Sequence, residues 1–120
     1  MESNDVVRSL AALAQPVRLQ VFRCLVVAGP EGLTPGALVE AIGVPATSLS
    51  FHLKELSGAG LIEGEPRGRY ICYRADFGTM NALIAFLTRN CCGGDALKCA
   101  PATTGRVGDT PRAASSGRAR

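Results

Sequence analysis

The chain has 120 residues, 47% of them hydrophobic and 19% charged, with a formal net charge of +3. That length fits one domain with a modest core, for which dimerisation would add stability. The charge excess excludes little. Up to residue 99, Arg8, Arg18, Arg23, Lys54, Arg67, Arg69, Arg74, Arg89 and Lys98 balance an equal number of Asp and Glu, so the surplus lies in the tail. Any nucleic-acid reading must therefore rest on local placement. The opening Met1–Asp5 is acidic and polar, unlike a signal peptide. Arg18, Gln20 and Arg23 break the longest apolar run well short of the roughly 20 residues a membrane helix needs. A soluble cytoplasmic protein with reduced thiols is expected, with no membrane partner, and five cysteines, an odd number, suit that better than a disulfide framework.

Taken in chain order, Val6, Val7, Leu10, Leu13 and Ala14 repeat with a helical period and predict a first helix over 6–14. Pro16 opens a second, with Val17, Leu19, Val21, Phe22, Leu25 and Val26 on its apolar side and an end near Gly29-Pro30. Thr34-Pro35 is a capping hydroxyl followed by a first-turn proline, predicting a short third helix through Leu38, Val39 and Ile42 to Gly43. After Val44-Pro45, a fourth helix runs from Ala46 to about Ala59 with Leu49, Leu53 and Leu56 inward. Leu61-Ile62 and Tyr70–Tyr73 are β-prone runs either side of Pro66-Arg67-Gly68-Arg69, which reads as a hairpin turn. A fifth helix is expected from Phe77 to about Asn90, with Met80, Leu83, Ile84 and Leu87 on one face. The fold class is mainly α with a small β-hairpin: a winged helix-turn-helix in the order α-α-α-α-β-β-α. Residues 1–92 form the expected domain, 93–99 a ligand-binding loop and 100–120 a disordered tail, too poor in apolar residues to offset its ordering entropy.

In a helix-turn-helix the second helix enters the major groove. With Leu49 inward, the fourth helix turns Thr47, Ser50, Phe51 and Lys54 outward, with Ser48 also in its first turn. Hydroxyls suit base edges or phosphates, Lys54 a phosphate, and Phe51 a thymine methyl. His52, the single histidine, lies toward one flank, either packed beside the core or touching DNA. Arg67 and Arg69 flank a glycine turn and could reach phosphates or a minor groove.

These residues resemble a known family. Leu10-Ala11-Ala12-Leu13-Ala14-Gln15-Pro16-Val17-Arg18-Leu19 is similar to the opening motif of the ArsR/SmtB repressors. Ser50–Leu56 with Ala59-Gly60-Leu61-Ile62 resembles their recognition helix and the approach to the wing, and Gly68–Arg74 the wing itself. The resemblance spans about residues 6–90. It implies a homodimer paired through the first and last helices, which represses at double-stranded operator DNA until an inducer binds. Gln15 stands in place of the family's Asp, and Pro45-Ala46 in place of a frequent Ser-Gln, so no operator sequence carries over.

For the inducer, the resemblance offers several sites. The zinc type needs histidines on the last helix, and this one has none; another type needs cysteines before the recognition helix, and 33–43 has none. What remains is Cys91 and Cys92, expected on the last turn of the fifth helix, with Cys99 beyond Gly93-Gly94. Three thiolates without histidine favour a thiophilic ion. Zn²⁺ in a closed site normally takes four ligands, whereas arsenite takes three, and antimonite fits the same geometry. The arrangement resembles arsenic sensors with a Cys-Cys pair and a nearby third Cys. Cys24 and Cys72 read as structural. The alternatives are a Cd- or Pb-sensing repressor, or a persulfide or redox sensor pairing Cys24 with Cys91. An enzyme is not expected: there is no Cys-x-x-Cys motif or phosphate-cradling glycine loop, and the one histidine is in the DNA-reading helix.

Overall fold

The computed structural model describes residues 1–94. The chain divides into two compact units, Met1–Leu87 and Thr88–Arg120, the second described only as far as Gly94. Cys99, most of the expected loop and the whole expected tail lie outside the described residues.

The first unit holds α1 (Ser3–Leu13), α2 (Pro16–Ala28), a 3₁₀ turn (Gly29–Glu31), α3 (Pro35–Ile42) and α4 (Ala46–Gly58). Strands β1 (Ile62–Arg67) and β2 (Tyr70–Ala75) follow, then α5 (Phe77–Thr88), whose last residue falls in the second unit. This is the expected winged helix-turn-helix order. The caps explain the helix starts. Gln15 Oε1 accepts from the Arg18 amide at 2.9 Å, so the residue replacing the family's Asp still caps α2. Thr34 Oγ1 accepts from the Ala37 amide at 3.2 Å, with Pro35 at the first helical position of α3. Asp76 Oδ1 does the same for α5 through the Thr79 amide at 3.0 Å. Gly43 closes α3 in the left-handed conformation, φ 82°, which a Cβ would penalise.

The core is one cluster: Val21, Phe22 and Leu25 of α2, Leu38 of α3, Leu49, Leu53 and Leu56 of α4, and Leu61, Ile62 and Ala75 at the hairpin base. Each fully buried Leu contributes about 1.5–3 kcal/mol. The three α4 leucines hold that helix by one stripe and turn its other side outward, as the periodicity implied.

Three expectations need correcting. The buried face of α1 is Val6, Ser9 and Ala12, while Val7 is 63% exposed and Leu10 is also exposed, so an apolar residue on this helix is not always a core residue. The same holds on α5, where Leu83 is buried but Ile84 and Leu87 are exposed. Pro66 is not in the turn: β1 runs through it, opposite Ile71, and Arg67 pairs with Tyr70. The connection is thus only Gly68-Arg69, with Gly68 at φ +67°, a two-residue hairpin turn that needs glycine first. Proline is tolerated because β1, at the edge of the hairpin, keeps one side unpaired. Among the described residues no single helix is long and apolar enough to cross a membrane.

Candidate nucleic-acid interface and thiol segment

The outer face of α4 is built as the heptad-like leucine spacing requires. Thr47, Ser48, Ser50, Phe51 and Lys54 are all exposed, and Phe51 keeps 54% of its surface open. No side chain caps the helix at Pro45, so its first amides remain open to an outside acceptor.

His52 is half-buried, and its partner comes from α2. Arg18 Nε–H donates to His52 Nδ1 at 3.2 Å, and the Arg18 guanidinium carbon lies 5.6 Å from the Phe51 ring centroid. The Phe51 and His52 rings meet edge-on, with centroids 5.6 Å apart at 64°. One arginine therefore ties two outer residues of α4 to the helix that supports it. Sequence reasoning gave Arg18 no site role, registering it as a break in apolarity and as part of the opening motif; a contact across 34 positions leaves no local signal. Arg8, Arg18 and Lys54 also line a groove of about 420 Å³ between α1, α2 and α4, with Glu55 on its wall.

The hairpin is less basic than expected. Glu63 stands opposite Arg74 in the register, and the pair closes to 3.2 Å, while Arg74 also reaches Glu65 at 2.8 Å. Arg67 pairs with the same Glu65 at 3.3 Å. The hydrogen bond from Arg74, then that from Arg67, hold the Glu65 carboxyl below its ordinary range, and the bonds Arg74 donates to Glu65 and Glu63 raise Arg74. Arg67 is thus engaged within the wing, whereas Arg69, at the tip, has no ion pair among the described residues.

The thiol segment also departs from expectation. α5 stops at Thr88, so Cys91 and Cys92 are not on its last turn; they open a separate turn, Cys91–Gly94, left-handed at Cys92 and Gly93. The physical reason is backbone handedness: Asn90 has φ 59° and Cys92 φ 55°, which right-handed helix cannot continue through. Both thiols are exposed. Among the described residues no three His, Cys, Asp or Glu side chains are grouped to hold a metal ion. Cys72 is buried, its Sγ–H donating to the Glu31 carbonyl at 3.1 Å, and Cys24 is half-buried against the core, so both serve packing.

Residues 13–65 match the family model described as "Helix-turn-helix domain". The chain is 38% identical over 72 residues to the HTH-type transcriptional repressor SmtB of Mycobacterium tuberculosis, covering 54% of this chain and 46% of that protein. It thus spans about half the length of that relative. It is 31% identical over 83 residues to the HTH-type transcriptional regulator YgaV of Escherichia coli, covering 69% of this chain and 82% of that one. The chain belongs to the ArsR/SmtB family of transcriptional regulators. Solved structures agree. An ArsR-like transcriptional regulator from Rhodococcus matches with a TM-score of 0.64 and 27% identity, over 72% of this chain and 78% of that one. A winged helix-turn-helix domain from Mycobacterium bovis, described as homodimeric, matches at 0.57 and 27% identity, over 78% and 86%. The ArsR/SmtB fold accounts for the α4 face and the hairpin, but it leaves the inducer to this chain's own residues.

Proposed function

We propose that the chain is an arsenite-responsive repressor that binds operator DNA as a homodimer and is released when trivalent arsenic meets thiolates of Cys91, Cys92 and Cys99. The observation that carries the DNA part is the exposed polar and aromatic face of α4 over a buried leucine stripe. Thr47, Ser48, Ser50 and Phe51 would face the major groove, and Lys54 and Arg69 phosphates. Arg67 would join them by exchanging Glu65 for a phosphate, and His52 from the flank.

The dimer reading is supported by Val7 and Leu10 on α1 and Leu87 on α5, large apolar side chains exposed on the two helices that the resemblance pairs across a two-fold. The inducer reading is supported by donor chemistry. Exposed adjacent thiols, with a third cysteine seven positions after Cys92 in sequence, suit a soft ion that takes three sulfur ligands. Antimonite shares that chemistry. Binding would act by favouring the state with lower DNA affinity; a hundredfold release requires about 2.7 kcal/mol of differential affinity.

The test is a titration of the complex with the promoter fragment preceding the chain's own gene, using arsenite, antimonite, Cd²⁺ and polysulfide. The same series is run on Cys91→Ser, Cys92→Ser and Cys99→Ser. Arsenite should release wild type and not the variants. Release by Cd²⁺ or polysulfide alone would replace the arsenic reading with a metal or persulfide sensor of the same fold.

A further inference from the structure

The contact between Arg18 and His52 fixes more than a ring's position. A guanidinium only donates hydrogen bonds, so the 3.2 Å contact from Arg18 Nε makes His52 Nδ1 the acceptor. In the neutral ring the proton then sits on Nε2. Nε2 has no hydrogen-bond partner among the described residues and is not sealed from solvent. Arg18 is itself held, because its amide is capped by Gln15 at 2.9 Å and its guanidinium lies by Phe51. Arg18 also lines the groove shared with Arg8, Lys54 and Glu55 beside the reading helix.

We propose that Arg18 is a positioning residue for DNA binding: it holds His52 as a fixed Nε2–H donor aimed at a backbone phosphate bordering the major groove. This rests on the DNA-binding reading above. A half-buried ring on the helix flank suits a phosphate better than a base edge, which the exposed residues of α4 are placed to reach. Without Arg18 the ring is free to put its proton on Nδ1, leaving Nε2 an acceptor facing a phosphate that can only accept. In that tautomer the contact is repulsive, so binding must first restore the Nε2–H form, which weakens it. Arg18 needs no phosphate of its own for this effect, and that separates positioning from plain charge.

The chain's single histidine makes the test direct. Nitrogen-15 spectra of the free, histidine-labelled full chain should show one neutral tautomer, protonated at Nε2, and a tautomer mixture in Arg18→Ala. A mixed-sequence duplex about three helical turns long serves as the DNA probe, since a phosphate contact needs no operator. His52→Ala should weaken binding about tenfold while leaving the salt slope unchanged, because a neutral donor displaces no counterion. Arg18→Ala should lose part of that and no more, and adding it to His52→Ala should cost less than it costs alone. Arg18→Lys, which keeps the charge, reports on the alternative that charge alone matters: its binding should follow its tautomer, reaching wild type only where the ring stays protonated at Nε2.

An Nδ1-protonated ring in wild type, additive losses in the double variant, or full binding by Arg18→Lys with a mixed tautomer would each overturn the proposal. If wild type binds no duplex at low salt, the DNA-binding reading falls too; duplex binding with any of the other outcomes overturns this inference alone.

Discussion

Leu33 and Tyr73 exchange two backbone hydrogen bonds, each of 2.8 Å, so the residue preceding the cap of α3 acts as a one-residue third strand on the hairpin. This bridge sets the wing's base against the helix-turn-helix through backbone alone. The neighbouring Gly32 makes the approach possible. A Cβ there would overlap the Tyr73 carbonyl oxygen and come 2.9 Å from Cys72 Sγ, and φ is +71°, in a region that side chains resist. Gly32→Ala should therefore cost more than about 2 kcal/mol in urea unfolding. Hydrogen exchange at the Tyr73 amide should speed up beyond the global change. An alanine variant of wild-type stability would show that the wing is not seated by this contact.

The ion pairs of the hairpin give a pH signature. Glu65 titrates below its ordinary value near 4.5 when folded, because hydrogen bonds from Arg74 and Arg67 favour the carboxylate. A depressed folded value means the pair stabilises the wing above the unfolded pKa and ceases to as pH falls through the folded one. Arg74, raised above its ordinary value by its hydrogen bonds to Glu65 and Glu63, keeps its charge throughout this window. The exposed site makes the global effect small. A carbon-13 titration of the Glu65 carboxyl should place its midpoint below 4.5, and Arg74→Gln should move it upward. An unmoved midpoint would mean that the contacts do not persist in solution.

The element order was legible because each helix announces itself by a capping residue, a first-turn proline or a period: Thr34-Pro35, Pro16 and the Leu49-Leu53-Leu56 stripe all appear where the sequence placed them. What periodicity could not reveal was which apolar residues stay outside, since Val7 and Leu10 obey the same helical spacing as Val6. The hairpin's length was missed because Pro66 reads as a turn residue, yet the Gly68-Arg69 pair suffices to reverse the chain. Exposed candidates on α4 followed from the wheel. Arg18 did not, because its role is a tertiary contact, and neither did the left-handed residues that detach Cys91-Cys92 from α5.

The same pairs divide the two wing arginines. Among the described residues Arg69 has no carboxylate to leave, whereas Arg67 must give up Glu65 to meet a phosphate. Arg69→Ala should lower the magnitude of the salt slope for duplex binding by about 0.9, as one phosphate contact does. Arg67→Ala should lower it by less, and Glu65→Gln should tighten binding in an Arg67-dependent way. Equal slopes for the two arginine variants would show that the Glu65 pair imposes no restraint on Arg67.

Exposed apolar side chains on α1 and α5 lead to the oligomeric prediction. If Leu10 and Leu87 are covered by a second copy, two-fold symmetry buries each substitution twice. A carboxylate buried without a partner costs several kcal/mol. Leu10→Glu combined with Leu87→Glu should then raise the dimer dissociation constant at least about a thousandfold. Sedimentation would show a folded monomer, because neither side chain belongs to the core around Leu25 and Leu56. Duplex binding should weaken with it, as two reading helices no longer act together. A variant that stays dimeric would place the interface on another face. A monomer that binds DNA as tightly as wild type would remove the need for paired readers.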